Sequence, residues 1–258
     1  MSRFHTDTLR ALGIDGVRDP SAMRALASRA TALGVTFPAS FAEWYGMQDG
    51  IELLRRHSNC DDPLPIDKLG GRIEWPWPAG PDWVAGGLLL FMVENQAVCF
   101  WALRLDAGDD PPVLVARVPD FAWRPCAESF STFIGCQVWD HTEVFSRSDP
   151  PARILLQAQD GPLRSEELAF LRQGFKEQPT THGWPGENAY RFEREDARIL
   201  VWDAADQADW FIASASESDL EGVVAELWQC GGLRGPLYSN DPRGEAVLEA
   251  LRSARGPS

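Results

Sequence analysis

The sequence predicts an α+β fold in two successive parts. Three observations carry that reading. Apolar residues recur at helical spacing near both ends of residues 20–140, β-patterned runs gather between them, and the proline pair Pro150-Pro151 precedes a second series of strands and helices. The expected parts are residues 1–149 and 150–258, and 258 residues are ample to bury a core in each.

Asp19-Pro20 predicts a helix start, because proline suits a first turn whose amides have no partner. Met23, Leu26, Ala30 and Leu33 make its apolar stripe, and Gly34 closes it. A second helix is expected within FPASFAEWYGMQDG, residues 37–50. Ser40 and Glu43 have capping-box spacing, Phe41, Trp44 and Tyr45 fall at i, i+3 and i+4, and Asp49-Gly50 reads as the stop. Three rings on one stripe are expected in the core. IELLRR and LPIDKL read as short strands around the polar loop SNCDD. The segment RIEWPWPAGPDW is too rich in proline for a central strand, which puts Trp75, Trp77 and Trp83 on a loop or sheet edge. LLLFMV and AVCFWAL predict a hairpin across Glu94-Asn95-Gln96. The turn DAGDDPP leads into the strand VLVARV, and Phe130, Phe133, Ile134 and Val138 mark a closing helix.

The second part reads as strand RILLQA, helix SEELAFLRQGF, strands AYRFER, ARILVWD and WFIASA, and helix SDLEGVVAELWQC. Ser218 and Glu221 have capping-box spacing, with Leu220, Val223, Val224 and Leu227 as the apolar stripe. GEAVLEALRSA is a terminal helix. This pattern describes a small α/β region that either folds alone or extends the first sheet.

Composition is that of a soluble globular chain. The longest apolar run, Leu88 to Val93, is too short to span a bilayer, and MSRFHTDTLRALG lacks a secretory h-region, so a cytoplasmic location is expected. Five scattered cysteines without a C-x-x-C pair predict reduced thiols, not a disulfide framework or zinc site. Net charge is -14, with 13 basic against 20 acidic side chains in residues 1–150 and 11 against 18 in 151–258, a balance of -7 in each. Such a surface repels nucleic acid and anionic lipid and attracts a basic protein partner.

The sequence displays no catalytic motif, metal motif or cofactor fingerprint. His5, His57, His141 and His182 lack ligand spacing, and G-x-S-x-G is absent. Asp140, His141 and Glu143 stand together but read as a solvated helix end. Candidate partner-binding residues are Trp75 and Trp77, as rigid anchors, and Asp61, Asp62, Asp109 and Asp110, as carboxylates for Arg or Lys. The plainer reading of these residues is tryptophans sealing a sheet edge and aspartates making turns.

The order of features in residues 20–140 resembles the SUKH superfamily, shared by fungal cell-wall assembly regulators and bacterial toxin-immunity proteins. The resemblance rests on Phe37, Pro38, Ser40, Phe41, Glu43, Trp44, Tyr45 and Gly50. It continues through Leu64-Pro65-Ile66, the aromatic strand Val98 to Leu103, the turn Pro111-Pro112-Val113 and the helix Ala127 to Phe133. It covers about half the chain. It implies a mixed, curved sheet packed by helices, no cofactor, and an immunity protein that neutralises a basic toxin domain, often a nuclease. Two other expectations are a regulatory or scaffold protein for an endogenous partner, and a hydrolase using the second half with His182 or His141 as base.

Overall fold

A computed structural model describes residues 3–59, 61–71, 82–146 and 152–255. The chain forms an α+β fold in two compact units, Met1–Trp139 and Asp140–Ser258. The proline pair expected at the boundary lies outside the described residues.

In the first unit, helices α1 (Thr6–Leu12), α2 (Pro20–Leu33), α3 (Ala39–Tyr45) and α4 (Gly50–Arg56) precede the strands. These are β1 (Asp62–Pro63), β2 (Leu88–Val93), β3 (Cys99–Arg104), β4 (Val113–Arg117) and β5 (Arg124–Ala127), followed by α5 (Phe130–Trp139). The sheet runs β1-β2-β3-β4-β5 in chain order. Every described pair is antiparallel, where the resemblance implied a mixed sheet. Neighbouring strands follow one another in the chain, so no crossover sets any two parallel.

The aromatic stripe of α3 is core, as its spacing predicts. Phe41 stacks on Tyr45 at 4.2 Å between ring centroids, Phe91 and Phe130 approach to 5.3 Å, and Tyr45 Oη donates to the Phe91 carbonyl at 3.0 Å. Leu90, Phe100 and Ala102 form the opposite face, covered by Trp83, Phe121 and Trp123. The capping box is a correction. Glu43 accepts instead from the backbone amides of Arg3, Phe4 and His5 at 2.9, 2.9 and 3.3 Å, so it serves the start of α1 and not of its own helix.

Two expected strands are also corrected. IELLRR lies in α4, where Leu54 is buried and Glu52 pairs with Arg55 one turn on, at 2.9 Å. Gly50 starts this helix instead of only ending the previous one. Its Cα lies where a Cβ would meet the Trp44 carbonyl at 2.1 Å, so only glycine fits the junction. LPIDKL contributes a 3-10 turn, Ile66–Lys68; the paired strand is Asp62–Pro63 just before it, and the Leu64 amide adds one further bond to the Phe91 carbonyl of β2 at 2.7 Å.

The second unit begins with a π-helical turn, Asp140–Val144. It continues through β6 (Ile154–Asp160), α6 (Ser165–Gly174), β7 (Lys176–His182), β8 (Asn188–Arg194), β9 (Ala197–Asp203), β10 (Ala208–Ser214), α7 (Glu217–Gln229), β11 (Leu237–Tyr238) and α8 (Pro242–Arg255). Its strands form their own antiparallel sheet, ordered β11-β6-β10-β9-β8-β7. One face carries Leu156, Phe192, Ile199, Val201 and Trp210, packed with Leu220, Val224, Leu227 and Leu248 of α7 and α8. The N-cap of α7 is Ser216, which accepts from the Asp219 amide, not the expected Ser218.

Residues 140–146 belong to this unit because they bind the other face of its sheet. Phe145 packs on Trp202 and Phe211, and Glu143 bridges Arg153 and Arg198 at 2.9 and 2.8 Å. Asp140 accepts from Nε and Nη2 of Arg191 at 2.7 Å each, and Arg191 is 2% exposed. Removing one member of such a pair leaves a buried charge uncompensated. Asp140→Ala is therefore expected to cost about 3–5 kcal/mol in urea unfolding; a loss below about 1 kcal/mol would show that Arg191 does not depend on it.

Candidate interaction surface

The sequence candidates do not come together in one patch. Trp75 and Trp77 lie outside the described residues. Asp61 and Asp62 sit beside the β2–β3 hairpin, since Asp62 pairs with Val93. Asp109 and Asp110 lie in the β3–β4 connection at the other end of β3, about 20 Å away for six residues of strand.

Each aspartate has a local task. Asp109 accepts from the Ser40 amide through its backbone carbonyl at 2.8 Å, and its exposed carboxylate lies 3.5 Å from Arg3. Asp110 accepts from the amide and hydroxyl of Ser131 at 3.0 and 2.5 Å, which satisfies the first turn of α5. Asp62 is exposed and lies 3.4 Å from Arg55. Asp61 is buried, and among the described residues its Oδ1 has no hydrogen-bond partner. Burial, with a smaller push from Glu94 and Asp62, raises its pKa to about 6, against the amides of Asn95 and Asn59 that favour the charged form.

A different surface on the first unit has the character of a docking site. Among the described residues, Ile14, Val17, Met23 and Tyr238 are the exposed large hydrophobic side chains, and three of the four fall within ten residues. Val17 is 61% exposed, Met23 41% and Ile14 38%. The segment that bears them is pinned to the α3–α4 junction. The Gln48 amide donates to the Val17 carbonyl at 2.8 Å, the Asp19 amide to the Gly46 carbonyl at 2.9 Å, and Arg18 bridges to Met47. Gly16 has φ +62°, a conformation in which a side chain is strained, and a Cβ there would also push Leu9 Cδ1, 2.5 Å away, aside.

Carboxylates rim the apolar set. Asp15 and Asp49 are exposed and, among the described residues, have no ion-pair partner. Asp19 caps α2 through the Ser21 amide at 2.7 Å, and its bonds to the Ser21 hydroxyl and amide hold its pKa below the usual carboxylate range. Arg18 is the basic side chain in the same loop. Met23 belongs to the apolar stripe expected of α2, but Leu26 is the member that is buried. Ile14 and Val17 carried one legible signal: two apolar residues flanked by glycines, assigned to no stripe.

The expected histidine bases are placed as follows. His182, exposed at the end of β7, has Nδ1 2.8 Å from Asn188 Oδ1, and Asn188 donates to Asp203 at 3.2 Å. His141 lies in the π-helical turn with its ring 5.6 Å from Phe145. Among the described residues no three His, Cys, Asp or Glu side chains are grouped to hold a metal ion, and no helix is long and apolar enough to cross a membrane. Comparison with protein-family models, curated proteins and solved structures finds no match.

The Asp61 geometry has a pH consequence. Its folded pKa of about 6 lies above the unfolded value near 3.8, so the folded state retains the proton longer. Stability is therefore expected to fall as pH rises from about 4 to about 6 and then to level off. Asp61→Asn should flatten that slope and add up to about 3 kcal/mol at neutral pH, read from urea unfolding at pH 4 and pH 7. An unchanged slope would locate the titration elsewhere.

Proposed function

We propose that this chain is a non-catalytic protein-binding module that captures a basic partner, in the form of an immunity protein covering the active site or substrate path of a cognate toxin domain. The observation that carries the reading is the apolar set Ile14, Val17 and Met23, held rigidly among unpaired carboxylates on a chain of net charge -14. Interfaces draw their affinity from a few desolvated apolar anchors, and opposite fields raise the rate of encounter. A loop already pinned in place loses little conformational entropy on binding. The resemblance of residues 20–140 to the SUKH superfamily supports the immunity form. A regulatory role toward an endogenous partner uses the same surface and differs in the partner's identity.

The hydrolase reading has one observation in its favour, the chain His182–Asn188–Asp203, which holds the imidazole through Nδ1. It lacks a nucleophile: among the described residues no Ser, Thr or Cys bonds to Nε2. A hydrolytic activity of the purified chain that His182→Ala abolishes would favour it over binding.

The test is capture of partners by the tagged chain from its native cells, with Val17→Asp plus Met23→Asp as control. A basic protein recovered in stoichiometric amount should bind the double variant at least about tenfold more weakly. Its association should slow as the screening length drops from about 30 Å at 0.01 M salt to about 8 Å at 0.15 M. Equal binding by the variant, or a rate indifferent to salt, would remove this surface from the proposal.

A further inference from the structure

The second unit contains a cleft of about 480 Å³ that the reading above does not use. Trp228, Leu233, Pro236, Leu237, Leu248 and Leu251 supply its apolar lining, and Arg234 and Arg252 its charge. The volume lies within the range of sites for small ligands, about 300–1,000 Å³.

Its loop wall is preformed. The Arg234 amide donates to Asp160 Oδ2 at 2.8 Å, its guanidinium Nη2 to the Pro162 carbonyl at 3.2 Å, and the Gly232 amide to the Leu227 carbonyl at 2.8 Å. Beyond the loop, β11 pairs with β6. Two backbone positions are committed to this path. Leu233 has φ +52°, a left-handed conformation that leucine rarely adopts, and a Cβ at Gly235 would meet the Gln159 carbonyl at 2.0 Å.

The two arginines differ. Arg234 is neutralised by Asp160 at 3.2 Å. Arg252 is exposed on α8 and, among the described residues, has no carboxylate within ion-pair distance. A preformed apolar cleft with an uncompensated guanidinium on its wall complements an aliphatic body with a single anionic head group, such as a carboxylate, which guanidinium binds through two parallel N–H donors. We propose that this cleft binds a medium-chain aliphatic carboxylate, its chain against Trp228, Leu237 and Leu248 and its head group on Arg252.

Titration calorimetry of the full chain with sodium decanoate below its micelle concentration tests this. Saturable one-site binding is expected, weakened at least about tenfold by Arg252→Gln and abolished by Leu237→Trp, which fills the cleft. Circular dichroism establishes that both variants fold, and Arg252, being exposed, carries the test should Leu237→Trp fail to do so. Decyltrimethylammonium should not bind. Absence of saturable heat at millimolar decanoate, equal binding of the cationic probe, or affinity unchanged in Arg252→Gln would each overturn the proposal.

Discussion

A polar group taken out of water without a partner costs roughly 1–3 kcal/mol, and both units are organised around that constraint. Arg191 is the strongest case. It stands on the face of β8 opposite the helices, and all three of its nitrogens are used: Nε and Nη2 on Asp140, Nη1 on the carbonyls of Pro179 and Ala189 and the hydroxyl of Thr181. A guanidinium cannot shed its charge at any ordinary pH, so Asp140 must sit where it does. Its neighbours Glu143 and Phe145 are thereby set on the strands that they cover.

The first unit meets the same demand with neutral groups. His5 is fully buried between Trp44 and Phe130, with Nε2 2.9 Å from the Ser40 carbonyl. Burial lowers its pKa, so the imidazole enters the core uncharged. Tyr45 reaches through the aromatic cluster to the Phe91 carbonyl. Ser40 Oγ, Trp44 Nε1 and Asp61 Oδ1 are buried without a hydrogen-bond partner among the described residues, and of these Asp61 is the carboxylate, so its proton affinity rises.

Both candidate binding features follow from close approaches of backbone to backbone or core. Gly16 lets the α1–α2 loop close over Leu9 and turn Val17 outward, and Gly235 lets the loop after α7 run against β6 and leave the cleft beside α8. Neither feature contains a titratable cluster. Their chemistry is apolar surface bordered by charge, mostly acidic in the first unit, where Arg18 is the basic member, and basic in the second.

Elements whose signals are local were legible in the sequence. The helix Pro20–Leu33 announces itself by Asp19, Pro20 and Gly34, and the hairpin of β2 and β3 by two apolar runs around a polar turn. IELLRR was not, because a short apolar run fits either period and only the burial of Leu54 against its neighbours selects the helix. KEQPTTH was invisible as β7, since an edge strand needs no apolar alternation and tolerates Pro179 beside a register shift. The acidic surface, the helical stripes and the α+β order were thus determined by the sequence alone, through composition and short-range periodicity. Which carboxylate serves which amide, and which apolar side chains remain outside, was decided by the tertiary structure. Glu43 finds the amides of residues 3–5, and Val17 is held outward by Gln48, through contacts between positions some thirty to forty residues apart that no local pattern encodes.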